Sequence, residues 1–342
     1  MSESKKNGKA SGKAAWLGVR PIFLIAGAVA LLGFGIITGI GFDLATRPVQ
    51  RPAAVAAGPV HPSHQSAPKI DLPPDSQETT SIFDADPLHK NEPAIAPAAE
   101  PALALNAVPP PTVSGQAVVA VVIDDMGLDR TRALKMIALK GPLTLSLMTY
   151  ADGLPGLVEQ AHAAGHEILA HLPMQPIDPK EHPGPGALLV NMDEATIRRV
   201  MAADLDGWKG YVGVNNHMGS KFTEDHARMA VVMDELHARG LLWLDSKTIG
   251  DTAGPSAAKL AGVPYVERDV FLDNVETVEA VTGQLEILAA TAKSHGSAIG
   301  IGHPHDATLA ALQRWLPGLA ARGIVLVPIT EVLKRRTAHA PG

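Results

Sequence analysis

The chain contains no cysteine, and this absence limits its chemistry before any motif is considered. It can form no disulfide, no iron–sulfur cluster and no thiolate metal site, so any metal ion must be held by histidine, aspartate or glutamate. Acidic residues outnumber basic ones by 35 to 29, which gives a formal net charge of −6. Because nucleic-acid-binding domains usually carry a basic surface, this balance argues against a nucleic-acid partner.

Aromatic residues are also scarce, at 4% of the chain. This leaves no obvious stacking platform for a long glycan, so a short or partly buried substrate is equally compatible with the composition. No glycine-rich loop of the dinucleotide-binding or P-loop type follows an apolar run. Nucleotide chemistry therefore has no support in the sequence.

The first 42 residues consist of a basic tail, 1–20, and an apolar segment, 21–42, that contains no charged residue. At 1.5 Å per residue the apolar segment can cross the roughly 30 Å hydrocarbon core of a bilayer. The basic tail favours a cytoplasmic N-terminus. We therefore predict a single inner-membrane anchor with the remainder in the periplasm. A cleavable signal peptide is the alternative, although no Ala-x-Ala site follows closely.

Residues 43–115 are predicted to be a disordered linker. Residues 47–115 hold 14 of the 28 prolines of the chain, mixed with alanine and polar residues. Such a segment buries too little apolar surface to offset the entropy of ordering it. A partner-binding segment of polyproline character is the alternative. The folded domain is then predicted at 116–336, with a short tail at 337–342.

Short apolar runs alternate with amphipathic helical patterns through the predicted domain. Strands are expected at 117–123, 143–148, 166–170, 211–214, 241–244, 264–266, 298–302 and 324–328. Helices are expected at 128–140, 153–164, 193–206, 223–239, 254–261, 274–295 and 306–322. This alternation predicts an α/β fold with a mostly parallel sheet. Seven or eight units suit a closed or nearly closed barrel better than an open Rossmann-type sheet.

Acidic residues or histidines follow six of the predicted strands. They are Asp124 and Asp125, His171, His217, Asp245, Asp269, and the pair His303 and His305. Because chemistry in parallel α/β folds gathers at the carboxyl ends of the strands, we expect these side chains to share one cleft. Carboxylate and imidazole suit a divalent metal, with zinc the usual choice. The structural alternative for the first pair is a turn in which Asp125 or Asp129 caps the following helix.

Five stretches of the domain resemble the divergent polysaccharide deacetylase family, a branch of the carbohydrate esterases. The stretches are Val122–Gly127, His171–Met174, Asn215–Ser220, Arg268–Asp273 and Ile301–His305, in the order found in the family. The resemblance implies a NodB-like distorted (β/α) barrel of about seven units and a divalent metal. It also implies hydrolysis of an acetyl group on an envelope polysaccharide such as peptidoglycan.

The resemblance implies roles for individual residues. Asp124 matches the catalytic base, while Asp125 and His171 match two metal ligands. Gln175 stands where the family has a further histidine ligand, so we expect His217 to supply the third ligand. His303 resembles the general acid that protonates the leaving amine.

Further residues are expected around this centre. His305 is the alternative general acid. Asp245 and Asp269 are candidates to orient the His303 imidazole, and Arg268 is the candidate to orient Asp124. We expect substrate contacts from Asn216, Ser220, His305 and Asp245.

Two other functions stay open at this point. Glutamine is a much poorer zinc ligand than histidine, so Gln175 and the long linker also fit a non-catalytic envelope factor that binds sugar or a protein partner. A metal-dependent phosphoesterase on the same barrel is weaker, because no phosphate-cradling loop or cluster of Arg and Lys lies near the site.

Overall fold

The computed structural model describes residues 101–338. The predicted basic tail, membrane anchor and most of the predicted linker therefore lie outside the described residues, as do residues 339–342. Between residues 101 and 338, no helix is both long enough and apolar enough to cross a bilayer.

Within this range nine strands form one parallel sheet. They are β1 (Ala117–Met126), β2 (Thr144–Met148), β3 (Glu167–Met174), β4 (Gly213–Met218), β5 (Leu242–Asp245), β6 (Tyr265–Glu267), β7 (Val270–Phe271), β8 (Ser297–Gly302) and β9 (Ile324–Leu326). The strand order is β6-β5-β4-β3-β2-β1-β8-β7, and β9 pairs with the beginning of β1.

Helices connect most of the strands. They are α1 (Ala102–Asn106), α2 (Arg130–Ile137), α3 (Leu154–Ala163), α4 (Glu194–Leu205), α5 (His226–Arg239), α6 (Gly254–Ala261), α7 (Val278–His295), α8 (Asp306–Trp315) and α9 (Ile329–Ala338). Side chains of Asp129 and Asp193 accept hydrogen bonds from backbone amides at the starts of α2 and α4, as N-terminal caps do. The helix expected at 306–322 ends at Trp315 and continues as two short 3-10 turns, because Pro317 cannot donate the next helical hydrogen bond.

The sheet is curled, because its two edge strands are consecutive in the chain. Only Arg268 and Asp269 separate β6 from β7. The Arg268 amide donates to the Asp245 carbonyl of β5 (3.0 Å), and the Asp269 amide donates to the Ile299 carbonyl of β8 (2.9 Å). Two residues span only about 7 Å when extended, so the sheet must bend round to bring its edges near each other. The prediction of a barrel-like parallel α/β fold is confirmed in this half-barrel form.

Strand β1 runs through the centre of the fold and is buried on both faces. Val119, Val121 and Ile123 belong to the core beneath the helices. The β1 residues between them, on the other face of the strand, pack with Ile299 of β8 and Val332 of α9 in a second core. A strand covered on both faces requires a continuous Val- and Ile-rich run, and this explains the sequence from Ala117 to Ile123.

The predicted linker is wrong at its C-terminal end. Helix α1 lies inside it, and the backbone amides of Leu103 and Val108 donate to the Gly240 carbonyl (3.0 Å) and to Glu167 Oε1 (3.1 Å). Leu103 packs against the second core. The two hydrogen bonds and the partly buried leucine supply the stabilisation that proline-rich composition alone did not suggest, so the folded unit includes this segment.

Candidate active site

Asp124 and Asp125 lie within the last residues of β1, at a β-bulge. The pairing of β1 with β2 shifts register between Ile123 and Met126, and Asp125 has φ of 55°. Neighbouring strand residues normally point to opposite faces, but a bulge redirects one of them. Both carboxylates consequently approach His171 Nε2, Asp124 Oδ2 at 3.6 Å and Asp125 Oδ1 at 3.3 Å.

The structure brings the three predicted metal ligands together. His217 Nδ1 lies 2.8 Å from Asp125 Oδ1, and the ligand atoms of Asp125, His171 and His217 all lie within 4.8 Å of one another. Asp125 Oδ1 is buried, yet it accepts no hydrogen bond of acceptable geometry. A buried carboxylate oxygen without a donor, facing two imidazole nitrogens, fits a divalent cation held by one carboxylate and two imidazoles.

The pKa values of the two adjacent aspartates are shifted in opposite directions. Burial raises the pKa of Asp124 above its ordinary value, and the positive charges of His171 and His303 oppose this only in part. Burial also acts to raise the pKa of Asp125, but the close approach and the positive charges of the His171 and His217 imidazoles outweigh it, so that pKa lies well below its usual range. Such a separation suits one carboxylate to proton transfer and the other to ligation.

His303 is held by a carboxylate, but not by either of the predicted ones. Its Nδ1 lies 2.9 Å from Asp273 Oδ1, and Asp273 Oδ2 accepts from the hydroxyl of Thr308 (2.8 Å). Burial would lower the pKa of His303, but the hydrogen bond to Asp273 and the charge of Asp124 raise it to about 9. The imidazole is therefore protonated at neutral pH, as a general acid must be.

The prediction that Asp245 and Asp269 orient His303 is wrong. Asp269 precedes β7, and its Oδ2 accepts from the Ile299 amide (2.7 Å). Asp273 follows β7, so it lies at the carboxyl end, where His303 emerges from β8. Asp245 is buried and accepts from the Lys247 amide (2.8 Å). A two-residue strand that the sequence pattern did not reveal determines which aspartate reaches the histidine.

Arg268 also differs from its predicted role. Its Nε donates to the Ser246 carbonyl (2.7 Å) and its Nη2 to the Lys247 carbonyl (2.8 Å). It interacts with Asp124 only through its charge. The hydrogen bond to Asp124 comes instead from Asn215 Nδ2, at 2.9 Å, so Arg268 does not orient the carboxylate directly.

The residues expected to contact substrate divide into two groups. Asn216 and Ser220 use their polar atoms within the fold, since Asn216 Oδ1 accepts from the Ser246 amide (2.9 Å) and Ser220 Oγ accepts from the Ile177 amide (2.9 Å). Asn216 and Asp245 are therefore engaged within the fold, whereas the Ser220 hydroxyl can still donate, so its contact with substrate stays a prediction. His305 is partly exposed, and its ring centroid lies 5.8 Å from that of His303. Its contact with substrate stays a prediction.

Gln175 does not replace the missing histidine ligand. Its Oε1 accepts a hydrogen bond from the Val190 amide (2.9 Å), and that oxygen is the atom through which glutamine would bind a metal. His217, rather than Gln175, lies beside Asp125 and His171.

Sequence reasoning missed two residues that hold the site. Asn215 and Asp273 both lie inside stretches that carry the family motifs. Asn215 shares a strand face with His217 because the two are separated by one residue, and this spacing was the available signal. Asp273 could have been found only by placing β7.

A family model for divergent polysaccharide deacetylases matches residues 121–333. The chain belongs to the divergent polysaccharide deacetylase family. This confirms the resemblance inferred from the motifs. Among similar proteins, the uncharacterized protein YibQ of Escherichia coli is 34% identical over 230 residues, which cover 67% of this chain and 71% of the relative.

Two further proteins are also similar to this chain. An uncharacterized protein of Haemophilus influenzae is 33% identical over 210 residues, covering 60% of this chain and 72% of the relative. The crystal structure of uncharacterized protein ATU2773 from Agrobacterium tumefaciens superposes with a TM-score of 0.66 at 28% identity. It covers 68% of this chain and 95% of that one. The shared fold thus extends over the domain that holds the candidate site.

Proposed function

We propose that this divergent polysaccharide deacetylase is a metal-dependent hydrolase that removes an acetyl group from a sugar of the cell-envelope polysaccharide. The observation that carries the proposal is the unpartnered buried oxygen of Asp125, which faces the imidazoles of His171 and His217. Buried carboxylate oxygens normally accept hydrogen bonds, so an unpartnered one among ligand-type side chains supports a cation at this point.

Asp125, His171 and His217 would hold the metal, most simply Zn²⁺. Once bound, such an ion supplies an acidified water and a polarised acetyl carbonyl. Gln175 is not needed for this, because His217 provides the second imidazole.

Asp124 and His303 divide the proton transfers. Asp124 accepts a proton from the water as the water oxygen bonds to the acetyl carbon. The carbon–nitrogen bond then breaks, and His303 delivers its proton to the departing nitrogen while Asp273 holds the imidazole. The products are acetate and an amino sugar. The raised pKa of His303 supports this direction of transfer.

We further propose that the domain works on the periplasmic side of the inner membrane. The charge-free segment 21–42 and the basic residues before it support an anchor, and the proline-rich stretch would provide reach toward peptidoglycan. A reporter enzyme that is active only in the periplasm, fused after residue 342, would give signal if this topology is right. A signal only from a cytoplasmic reporter would contradict it.

The function is tested with the full chain purified in detergent. We expect about one Zn²⁺ per chain by elemental analysis, and acetate release from N-acetylated chito-oligosaccharides or peptidoglycan fragments. Asp124→Asn should retain the metal but lose turnover by about 10²- to 10⁴-fold, the usual contribution of a general base. A folded wild type that neither binds Zn²⁺ nor releases acetate would contradict the proposal and favour the non-catalytic envelope factor.

A further inference from the structure

Asn215 has a fully buried side chain, and all its hydrogen-bonding groups are engaged. Its Oδ1 accepts from Ser146 Oγ (2.5 Å) and contacts His171 Nδ1 (2.9 Å). Its Nδ2 donates to Asp124 Oδ1 (2.9 Å) and to Ser246 Oγ (3.1 Å). A carboxamide has two acceptor positions and two donors, so this residue is saturated.

These contacts determine which way the amide faces and which nitrogen of His171 carries the proton. A carboxylate oxygen of Asp124 needs a donor, so the NH₂ group must face Asp124 and the carbonyl oxygen must face His171. Since that oxygen can only accept, His171 Nδ1 must carry a proton. The other ring nitrogen, Nε2, is the one that points at Asp125.

We propose that Asn215 is the positioning residue that couples the first histidine ligand to the general base. This inference rests on the proposed function, because it assigns the ligand role to His171 and the base role to Asp124. One rigid amide directs Nε2 toward the metal position and at the same time holds Asp124 beside it. Partners of ligating histidines orient the ring and raise its affinity for metal.

The double role explains why an amide stands here rather than a carboxylate. Aspartate at position 215 would still accept from His171 Nδ1. It would, however, present an oxygen to Asp124 where the amide presents a donor, and two negative carboxylates would then face each other. Among side chains of this size, asparagine alone accepts on one side and donates on the other.

The test compares two variants of the full chain. Asn215→Asp keeps the acceptor for His171 and removes the donor to Asp124. We expect Zn²⁺ affinity, measured by competition with a chelating dye, to stay within about threefold of wild type, below the 10-fold minimum typical of a lost histidine partner. Acetate release should fall by about 100-fold or more. Asn215→Leu removes both groups, so affinity should fall by about 10- to 100-fold together with turnover.

Thr144→Val serves as a matched control. Thr144 is also fully buried, and its hydroxyl accepts a hydrogen bond from the Ile329 amide. It is the first residue of β2, whereas the candidate site lies at the carboxyl ends of the strands. This variant should lower the unfolding temperature without changing Zn²⁺ affinity, which separates a loss of stability from a loss of positioning. Thermal unfolding of all variants verifies that they fold.

The outcomes distinguish this inference from the proposed function. Wild type that binds Zn²⁺, with the two Asn215 variants differing in affinity as stated, supports the coupling. Equal loss of metal in both variants, or none in either, overturns it and leaves the proposed function intact. A folded wild type that binds no Zn²⁺ overturns both.

Discussion

Two acids at opposite ends of the sheet, each with a buried carboxylate oxygen, have opposite surroundings. Glu167, at the start of β3, is fully buried, and its carboxylate accepts from the Val108 amide (3.1 Å), the Thr330 amide (3.1 Å) and the Thr330 hydroxyl (2.7 Å). Asp125, at the end of β1, has a buried oxygen that accepts none. One carboxylate joins α1, β3 and α9, whereas the other faces two imidazole nitrogens at 3.3 and 2.8 Å.

This contrast separates an acid with a structural role from one to which the proposed function assigns a metal ion. A fold normally gives every buried polar atom a partner, because an unpaired one costs free energy. Glu167 follows that rule and needs no function to explain it. Asp125 departs from it at the carboxyl end of the sheet, where active sites of such folds lie. The presence or absence of hydrogen-bond donors distinguishes Glu167 from Asp125 more sharply than residue type does.

Replacing Asp125 gives the largest expected effect on function. Asp125→Asn keeps the shape but removes the charge that binds the cation. Zn²⁺ affinity, measured by chelator competition, should therefore fall by more than the roughly 10- to 100-fold typical of an outer-shell partner. With metal removed from both proteins, the variant should unfold at the same temperature as wild type or at a higher one. The reason is that the replaced carboxylate oxygen made no hydrogen bond. A marked loss of stability would place Asp125 in the same class as Glu167.

Replacing Glu167 should produce the reverse pattern. Glu167→Ala leaves three partly buried donors without an acceptor, and this should lower the free energy of unfolding by about 3 kcal/mol. Denaturant titration measures the loss, and Zn²⁺ affinity of the folded fraction should not change. A drop in affinity comparable with that of Asp125→Asn would contradict the division of roles between the two ends.

The pH dependence of the free energy of unfolding should reveal the titration of Glu167. Burial raises the pKa of Glu167 to about 7, although its hydrogen bonds with Thr330 and Val108 oppose the shift. A carboxyl whose pKa is higher in the folded state stabilises the fold fully below its unfolded pKa, and loses that contribution as pH rises through the folded pKa. Wild type should thus lose on the order of 2 kcal/mol between pH 5 and pH 8.

Glu167→Gln, which carries no charge, isolates this effect. Its stability should change less than that of wild type over the same interval, as measured by denaturant titration at each pH. An unchanged pH dependence in the variant would assign the titration to another group, such as Asp204, whose pKa burial also raises to about 7.

The smallest effect is expected at Gln175. Because its carbonyl oxygen is engaged by the Val190 amide, Gln175→Ala should reduce Zn²⁺ affinity by less than the roughly 10-fold expected of an outer-shell partner. His217→Ala, measured in the same competition assay, should nearly abolish binding. If the two variants weakened binding equally, His217 would not be the replacement for the histidine that the family has at this position.

The ends of the predicted strands led to residues that the structure brings together, because parallel strands carry their polar residues to one edge. Alternation of apolar runs was enough to place Asp125, His171 and His217 near one another. It could not show the bulge that turns Asp124 and Asp125 to the same cleft, since a bulge depends on the register with β2. It also assigned His303 the wrong aspartate, because β7 is only two residues long and lacks a periodic pattern.

Composition was a poorer guide than pattern at the domain boundary. Residues 101–115 are rich in proline and alanine, which are typical of linkers. Leu103 and Val108 nevertheless make specific contacts with Gly240 and Glu167. Such long-range contacts depend on the tertiary fold and have no local signature.

The left-handed backbone of Asp125 bears on which residue evolution keeps at this position. An L-residue in this conformation is disfavoured by about 1 kcal/mol relative to glycine, so selection for stability alone would favour glycine at position 125. We expect aspartate to be kept there where its carboxylate contributes to function. In relatives aligned at this bulge, glycine would mark lineages in which the site has decayed, whereas aspartate would mark those under selection for the chemistry.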